Sequence, residues 1–203
     1  DVVVGLATVV AEVARVADIE HRLARAALEL LGIAGGVEIT TVADIPARGT
    51  GLGSSSSFTV GLLNAISAYL GRYMSSDDLG RLSCEVEIER CGEPIGKQDQ
   101  YAAAYGGLNF IEFFPDESVR VSPLIMPPSV REKFESSIIV FYTGMTRSAS
   151  GILREQSETI ASDMQRRSSL MRMVELAYQM RDELQRGHAD SVGELLHENW
   201  VLK

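Results

Sequence analysis

Two short stretches of this chain combine residue types that can bind phosphate and activate a hydroxyl group. The first is residues 49–57, Gly-Thr-Gly-Leu-Gly followed by four serines. Alternate glycines let the backbone turn tightly and approach a ligand closely. Serines at the start of a helix bring hydroxyls and unpaired backbone N–H groups together, and such a helix end attracts anions. The stretch therefore predicts a phosphate-binding loop.

Three other kinds of loop share this composition. A Gly/Ser linker is usually flanked by domain edges, whereas this segment lies between apolar runs at residues 37–42 and 58–70. A P-loop requires a lysine directly after its last glycine, and none follows Gly53. A dinucleotide fingerprint requires a third glycine where Ser54 stands. The loop matches neither of these two common phosphate motifs.

The second stretch is residues 87–101, which ends in Gly-Lys-Gln-Asp-Gln-Tyr. Asp99 would lie in the first turn of a helix, where a carboxylate is favoured. Transfer of a phosphoryl group to an alcohol needs a group that accepts or orients the proton of that alcohol. Asp99 is the candidate for that role, with Lys97 close enough to screen phosphate charge. The alternative is that Asp99 only complements the helix dipole.

A third candidate lies at residues 142–148, Tyr-Thr-Gly-Met-Thr-Arg-Ser, after an apolar run at 137–143. Thr146 and Arg147 could hold a substrate phosphate, the arginine bidentately. The equally good alternative is that Thr146 or Ser148 caps the following helix.

Composition narrows the function classes. The net charge of −9 argues against nucleic-acid binding, which requires clustered Lys and Arg. No apolar run reaches the roughly 20 residues that span a bilayer, and the first residues lack the basic flank of a signal peptide. Cys84 and Cys91 would lie about 10 Å apart on one helix, too far for a disulfide. A reducing cytoplasm fits these features.

Hydrophobic periodicity and turn residues predict the elements that must position the candidates. Residues 2–16 are strand or helix, which the pattern leaves open. The remaining predicted elements are helices at 17–31, 58–70, 76–90, 98–105, 152–185 and 190–202, and strands at 37–42, 108–114, 119–124 and 137–143. Ser75 and Ser76 are the predicted caps of the helix at 76–90, and the strands at 108–114 and 119–124 are expected to pair as a hairpin. Pro127-Pro128 is the predicted boundary between a domain at 1–126 and a second at 127–203.

With both stretches in view, the chain resembles the GHMP kinases (the superfamily of galactokinase, homoserine kinase, mevalonate kinase and phosphomevalonate kinase). Gly-Leu-Gly-Ser-Ser resembles the central ATP-binding motif, and Gly-Lys-Gln-Asp-Gln-Tyr the segment of the catalytic aspartate. The resemblance implies that Asp99 is the base, that Lys97 assists it, and that Ser55 and Glu87 bind Mg²⁺. Glu89 is the competing candidate for the Glu87 role. Residues two positions apart on a helix point in different directions, so the two glutamates cannot both bind one ion. The residues implied to bind ATP are Gly49, Gly51, Leu52, Gly53, Ser54, Ser55 and Ser56.

The resemblance also implies a fold and a substrate. The fold is α+β with two domains, an N-terminal α/β half shared with a ribosomal protein domain and a C-terminal α+β half, here lacking an earlier strand and a later glycine-rich motif. Within the superfamily the motifs are most similar to heptose 7-phosphate kinases and related fucokinase domains. This implies phosphorylation of the anomeric hydroxyl of D-glycero-D-manno-heptose 7-phosphate by MgATP, in the synthesis of lipopolysaccharide or another surface glycan.

The same resemblance implies a small-molecule sugar phosphate as the partner. Nucleic acid and membrane are not expected, because of the net charge and the short apolar runs described above, and a homodimer is left open. Two other functions remain as alternatives: a different GHMP small-molecule kinase, such as a fucokinase-type sugar kinase, and a non-catalytic nucleotide-binding module.

Overall fold

The computed structural model describes residues 2–6, 9–42, 51–141 and 163–203, with side chains from Val13 onward. The described residues form two compact units, one reaching to Gly106 and the other starting at Gly107. The predicted domain boundary at residue 126 stays a prediction. Within the described ranges, no helix has both the length and the apolar character that crossing a bilayer requires.

The segment left open between strand and helix forms strands in the structure. β1 (Val2–Leu6) and β2 (Val9–Val13) pair antiparallel, and β3 (Val37–Thr40) adds to the other side of β1 in parallel register, with Val2 opposite Val37. The order β2-β1-β3 makes β1 the central strand. The β-branched residues of these segments favour extended backbone over helix.

The helices of the first unit end at or near the predicted residues, but the helix predicted at residues 17–31 begins five residues later, after a short 3-10 turn at Val16–Asp18. α1 (Arg22–Leu31) is capped by the His21 side chain and ends at left-handed Gly32. α2 (Ser54–Tyr69) starts four residues before the predicted apolar run, since the serines are helical. α3 (Ser76–Cys84) is capped by Ser75, as predicted, and continues as a π-helix, Glu85–Arg90. α4 is Gln98–Tyr105.

The core of this unit lies between α1, α2 and the π-helix that comes after α3. Its fully buried side chains include Leu28 of α1, Leu63 of α2 and Val86 of the π-helix. Tyr69, which periodicity places on the buried face of α2, is 68% exposed. The core therefore covers the middle of α2 and leaves its C-terminal end uncovered, while the N-terminal end faces the polar residues described below.

Among the residues that the structure describes, the second unit consists of a hairpin and four helical segments. The predicted hairpin is confirmed, with β4 (Asn109–Phe113) antiparallel to β5 (Val119–Pro123). α5 (Pro128–Ser136), which was not predicted, begins with a proline that is tolerated in the first helical turn. α6 (Met164–Arg186) ends at left-handed Gly187, and a short 3-10 turn leads into α7 (Val192–Leu202).

The strand predicted at residues 137–143 is wrong for the part that the structure describes. Residues 138–141 have no regular secondary structure, and Ile139, Val140 and Phe141 are each more than 70% exposed. An apolar run forms a strand only where a neighbouring strand satisfies its backbone groups, and no strand pairs with this segment among the described residues. Residues 142–162 lie outside the description.

One helix contact in the first unit depends on a glycine. A Cβ added at Gly80 of α3 would lie 2.9 Å from Cδ1 of the Tyr101 ring on α4, and that ring is buried. We expect Gly80→Ala to lower the free energy of unfolding by about 1–3 kcal/mol, because overpacking forces a rigid ring to move. Urea unfolding measures this change. Gly61→Ala on α2, where a Cβ meets nothing within 4 Å, is the matched control and should stabilise by about 0.5–1 kcal/mol. Equal effects of the two substitutions would contradict this account of the contact.

Candidate active site

The backbone at the start of α2 is left-handed at two positions, and glycine is the residue that adopts this conformation without steric cost. Gly51 has φ 71° and Gly53 has φ 66°, and Gly53 is the N-cap residue. Because glycine has no side chain, no N-cap side chain accepts a hydrogen bond from the first turn. Leu52 and Ser55 are exposed beside this turn, and Ser54 is partly so. The backbone N–H groups and the positive end of the helix dipole therefore lie where an anion can approach.

Asp99 lies directly beside this turn. A Cβ added at Gly53 would be 3.4 Å from Asp99 Oδ2 and 3.5 Å from Asp99 Cγ. The carboxylate of Asp99 is solvent-exposed, in the first turn of α4. Two stretches that are 46 residues apart in the sequence thus meet, and they bring a carboxylate next to an anion-attracting helix end. This is the arrangement that phosphoryl transfer to a hydroxyl group requires.

Glu87 lies on the other side of the α2 start and is almost fully buried, with 1% of its surface exposed. Ser56 Oγ donates to Glu87 Oε2 over 2.8 Å, and Thr59 Oγ1 donates to Glu87 Oε1 over 2.9 Å. Gln100 Nε2 also donates to Oε2. The carboxylate is held by hydroxyls of α2 and an amide of α4, so it is a fixed group and not a solvated one.

The π-helix determines which carboxylate faces α2. Glu87 points into the unit, whereas Glu89, two residues on, is exposed. The Cys91 N–H donates to the Val86 carbonyl, five residues earlier, which is the hydrogen bond of a π turn. Of the two glutamates that the sequence offers, only Glu87 therefore contacts the start of α2.

Lys97 is the residue just before α4 and is half-buried. It lies near Cys84, and burial of that thiol is the main cause that raises the pKa of Cys84 to about 11. The Lys97 ammonium group opposes this rise, and the Glu87 and Glu89 carboxylates add to it. Burial likewise raises the pKa of the Cys91 thiol. Neither cysteine is therefore a reactive thiolate at neutral pH.

The raised pKa of Cys84 makes its reactivity a sensitive test of folding. At pH 8 we expect a disulfide reagent such as Ellman's reagent to label Cys84 in the native protein about 100-fold more slowly than in the urea-unfolded chain, since two pKa units reduce the thiolate about a hundredfold. Because the folded value exceeds the ordinary value of 9.0, this thiol stabilises the fold fully below pH 9 and loses that effect by about pH 11. Rapid native labelling of Cys84 at pH 8 would contradict this.

Some predicted site residues lie outside the described ranges, and some observed ones were not predicted in their present role. Gly49, Thr146 and Arg147 fall in the undescribed segments. Ser56 was predicted to bind ATP, and in the structure its hydroxyl is directed to Glu87. Thr59 was missed although its spacing of three from Ser56 places both on one face of a helix. Gln100 carried no signal, because its contact joins distant segments.

The described residues contain no cluster of three or more His, Cys, Asp or Glu side chains arranged to bind a metal ion. A closed cluster is not required for Mg²⁺, which commonly takes one or two protein ligands, substrate phosphates and water. The candidate donors are the Glu87 carboxylate and the Ser55 hydroxyl. The Ser55 carbonyl and Glu87 Oε1 are each 2.9 Å from Thr59 Oγ1, so the two residues lie close together.

Comparison with known proteins identifies the family. Residues 13–107 match the GHMP kinases N terminal domain family. A D-glycero-alpha-D-manno-heptose 7-phosphate kinase from Campylobacter jejuni is 31% identical over 163 residues, which is 80% of this chain and 48% of that protein. A bifunctional fucokinase/GDP-fucose pyrophosphorylase from Arabidopsis thaliana is 31% identical over 191 residues, 89% of this chain and 18% of that protein.

A solved structure shows the same fold. The crystal structure of a D-glycero-D-manno-heptose 1-phosphate kinase from Bacteroides thetaiotaomicron superposes with a TM-score of 0.80 at 25% identity, over 99% of this chain and 62% of that one. The chain thus spans about half the length of the heptose kinase that it resembles in sequence. The predicted α+β class is confirmed by this likeness and by the mixed helices and strands. The chain belongs to the GHMP kinases, and residues 13–107 are its GHMP kinase N-terminal domain.

Proposed function

We propose that the protein is a sugar-phosphate kinase that transfers the γ-phosphoryl group of ATP to the anomeric hydroxyl of D-glycero-D-manno-heptose 7-phosphate. The observation that carries the proposal is the position of Asp99 against Gly53, at the start of α2. The names of the similar proteins, heptose phosphate kinases above all, support the sugar. The synthesis of a surface glycan such as lipopolysaccharide is the pathway in which this product would be used.

The chain's own residues supply four functions in this reaction. The backbone from Gly51 to Ser55, with the N-terminus of α2, binds the phosphates of ATP. Asp99 accepts the proton of the anomeric hydroxyl while the hydroxyl oxygen bonds to the γ-phosphorus. The bond from that phosphorus to the bridging oxygen breaks, and ADP is released. Lys97 balances part of the phosphate charge. Thr146 and Arg147 would bind the 7-phosphate.

The donors present fit Mg²⁺. Glu87 is a buried carboxylate, and in the part of the chain that the structure describes no Lys, Arg or His forms an ion pair with it. A buried charge without a partner of opposite sign is costly, and a divalent cation would balance it. Thr59 shares its single hydroxyl proton between Glu87 Oε1 and the Ser55 carbonyl, which leaves Oε1 with the most unused acceptor capacity. Bound Mg²⁺ would neutralise the charge that develops on the phosphates.

The test is a kinase assay with a defined product. The protein is incubated with MgATP and heptose 7-phosphate, ADP release is followed by a coupled assay, and phosphorus NMR identifies the phosphorylated position. We expect ADP and a sugar 1,7-bisphosphate in equal amounts, with free fucose and galactose as competing acceptors. Preference for free fucose would favour the fucokinase-type alternative. Calorimetric ATP binding without transfer to any of these sugars would favour a non-catalytic nucleotide-binding module.

A further inference from the structure

Gln100 is a buried amide whose carbonyl oxygen has no partner. Its side chain is 0% exposed, its Nε2 donates to Glu87, and within the described ranges its Oε1 makes no hydrogen bond. Burying an unsatisfied polar atom is unfavourable, so native proteins contain few of them and each calls for an explanation. An apolar side chain of similar size would fill the same space without that cost. Stability alone therefore does not account for an amide at this position.

The contacts of Glu87 indicate what the amide does. Thr59 divides its proton between Glu87 Oε1 and the Ser55 carbonyl, whereas Ser56 and Gln100 both donate to Oε2. Ser56 and Thr59 belong to the same helix, so they attach the carboxylate only to α2. Gln100 is the donor from another element, and it attaches the same carboxylate to α4.

The position of Gln100 in α4 connects this contact to Asp99. It is the neighbour of Asp99, and consecutive residues of a helix point about 100° apart. Asp99 lies against Gly53 and Gln100 lies against Glu87, so one turn of α4 contacts both the N-cap of α2 and the carboxylate that Ser56 and Thr59 of α2 bind. Any rotation or shift of that turn would move the carboxylates of Asp99 and Glu87 together.

We infer that Gln100 is a positioning residue: it fixes the Glu87 carboxylate for the divalent cation and joins that carboxylate to the turn of α4 that carries Asp99. The inference rests on the proposed function, in which Glu87 holds the cation that accompanies ATP. Partners that orient a metal-binding carboxylate affect metal affinity strongly, by about 10- to 100-fold when removed. Gln100 itself touches neither substrate nor reacting atoms in this account.

The test compares Gln100→Leu with Gln98→Leu, an exposed position on the first turn of the same helix. The probe is Mn²⁺ with a non-hydrolysable ATP analogue, titrated by electron paramagnetic resonance. We expect Gln100→Leu to weaken Mn²⁺ binding about tenfold while the thermal midpoint does not fall below that of the wild type, and Gln98→Leu to leave binding unchanged. If Gln100→Leu does not fold, Gln100→Met, which is unbranched and fills irregular space, takes its place.

A double-mutant cycle separates action through Glu87 from a general packing effect. In a Glu87→Gln background we expect Gln100→Leu to change Mn²⁺ affinity by less than twofold. A Gln100→Leu protein that binds Mn²⁺ within twofold of the wild type, or one that loses the same factor in both backgrounds, would overturn the inference and leave the kinase proposal standing. If the wild type itself binds no Mn²⁺ with the analogue, the cation site of the proposed function is wrong, and this inference is wrong with it.

Discussion

Asp99→Asn is expected to lower kcat by about 10²- to 10⁴-fold, the range that proton transfer from a positioned side chain contributes. The substitution preserves size and keeps an oxygen beside Gly53, where the Asp99 carboxylate lies. It removes the negative charge that accepts the proton of the attacking hydroxyl. Calorimetric affinity for the ATP analogue should change little, because the phosphates are bound by the backbone and the dipole of α2. Steady-state kinetics on the purified protein measure the effect.

The control for Asp99 addresses its simplest alternative role. Asp77 is an exposed carboxylate in the first turn of α3, where it complements the helix dipole as Asp99 does in α4. Asp77→Asn should alter stability by a few tenths of a kcal/mol and kcat hardly at all. Asp99→Asn turning over within threefold of the wild type would remove Asp99 from the chemistry and reduce it to the same dipole role.

Glu87→Gln is expected to raise the Mg²⁺ concentration needed for half-maximal rate and to lower kcat about 100-fold or more at ordinary Mg²⁺ concentrations. The amide lacks the charge that would hold a divalent cation, and it replaces three charge-assisted hydrogen bonds, from Ser56, Thr59 and Gln100, by weaker neutral ones. We therefore also expect a loss of about 1–3 kcal/mol in the free energy of unfolding. The rate as a function of Mg²⁺ and a urea titration measure the two effects separately.

Glu89→Gln is the matched control. It removes the same charge from a side chain that lies two residues after Glu87 and is exposed. Its Mg²⁺ dependence should equal that of the wild type. An unchanged Mg²⁺ dependence in Glu87→Gln, with only stability reduced, would show that Glu87 is a buried structural carboxylate satisfied by its hydrogen bonds. The pair of variants thus decides between the two glutamates that the sequence offers.

Local sequence signals predicted those parts of the molecule that local interactions determine. Helix α4 was predicted with its observed bounds, since Gly106 comes directly after it, and Ser75 was identified as the cap of α3. The glycine and serine pattern located the start of α2 and suggested an anion site there. These features depend on backbone conformation and capping within a few residues, and both follow from the types of the neighbouring residues.

Tertiary context decided the rest. The run at 138–141 has the composition of a strand, but no strand pairs with it among the described residues and its side chains are exposed. The cluster around Glu87 joins residues 13 to 31 positions away, so no short pattern reveals it. Family resemblance supplied Glu87 and favoured the catalytic role of Asp99 over its dipole role, whereas Thr59 and Gln100 emerged only once the helices were placed beside each other. Neighbours in space that are distant in the chain are what a single sequence predicts least well.

The π-helix at Glu85–Arg90 makes this segment sensitive to length as well as to composition. A π turn spans five residues per hydrogen bond where an α turn spans four, so one residue fewer would let the segment wind as a regular α-helix. Winding as an α-helix would turn the side chains within the segment to new directions, while the chain before and after it could keep its place. A single deletion between Glu87 and Cys91 would therefore redirect the Glu87 carboxylate away from α2 without changing any of the groups that bind it. Among related chains, the spacing from this glutamate to the aspartate of α4 should vary less readily than the residues in between.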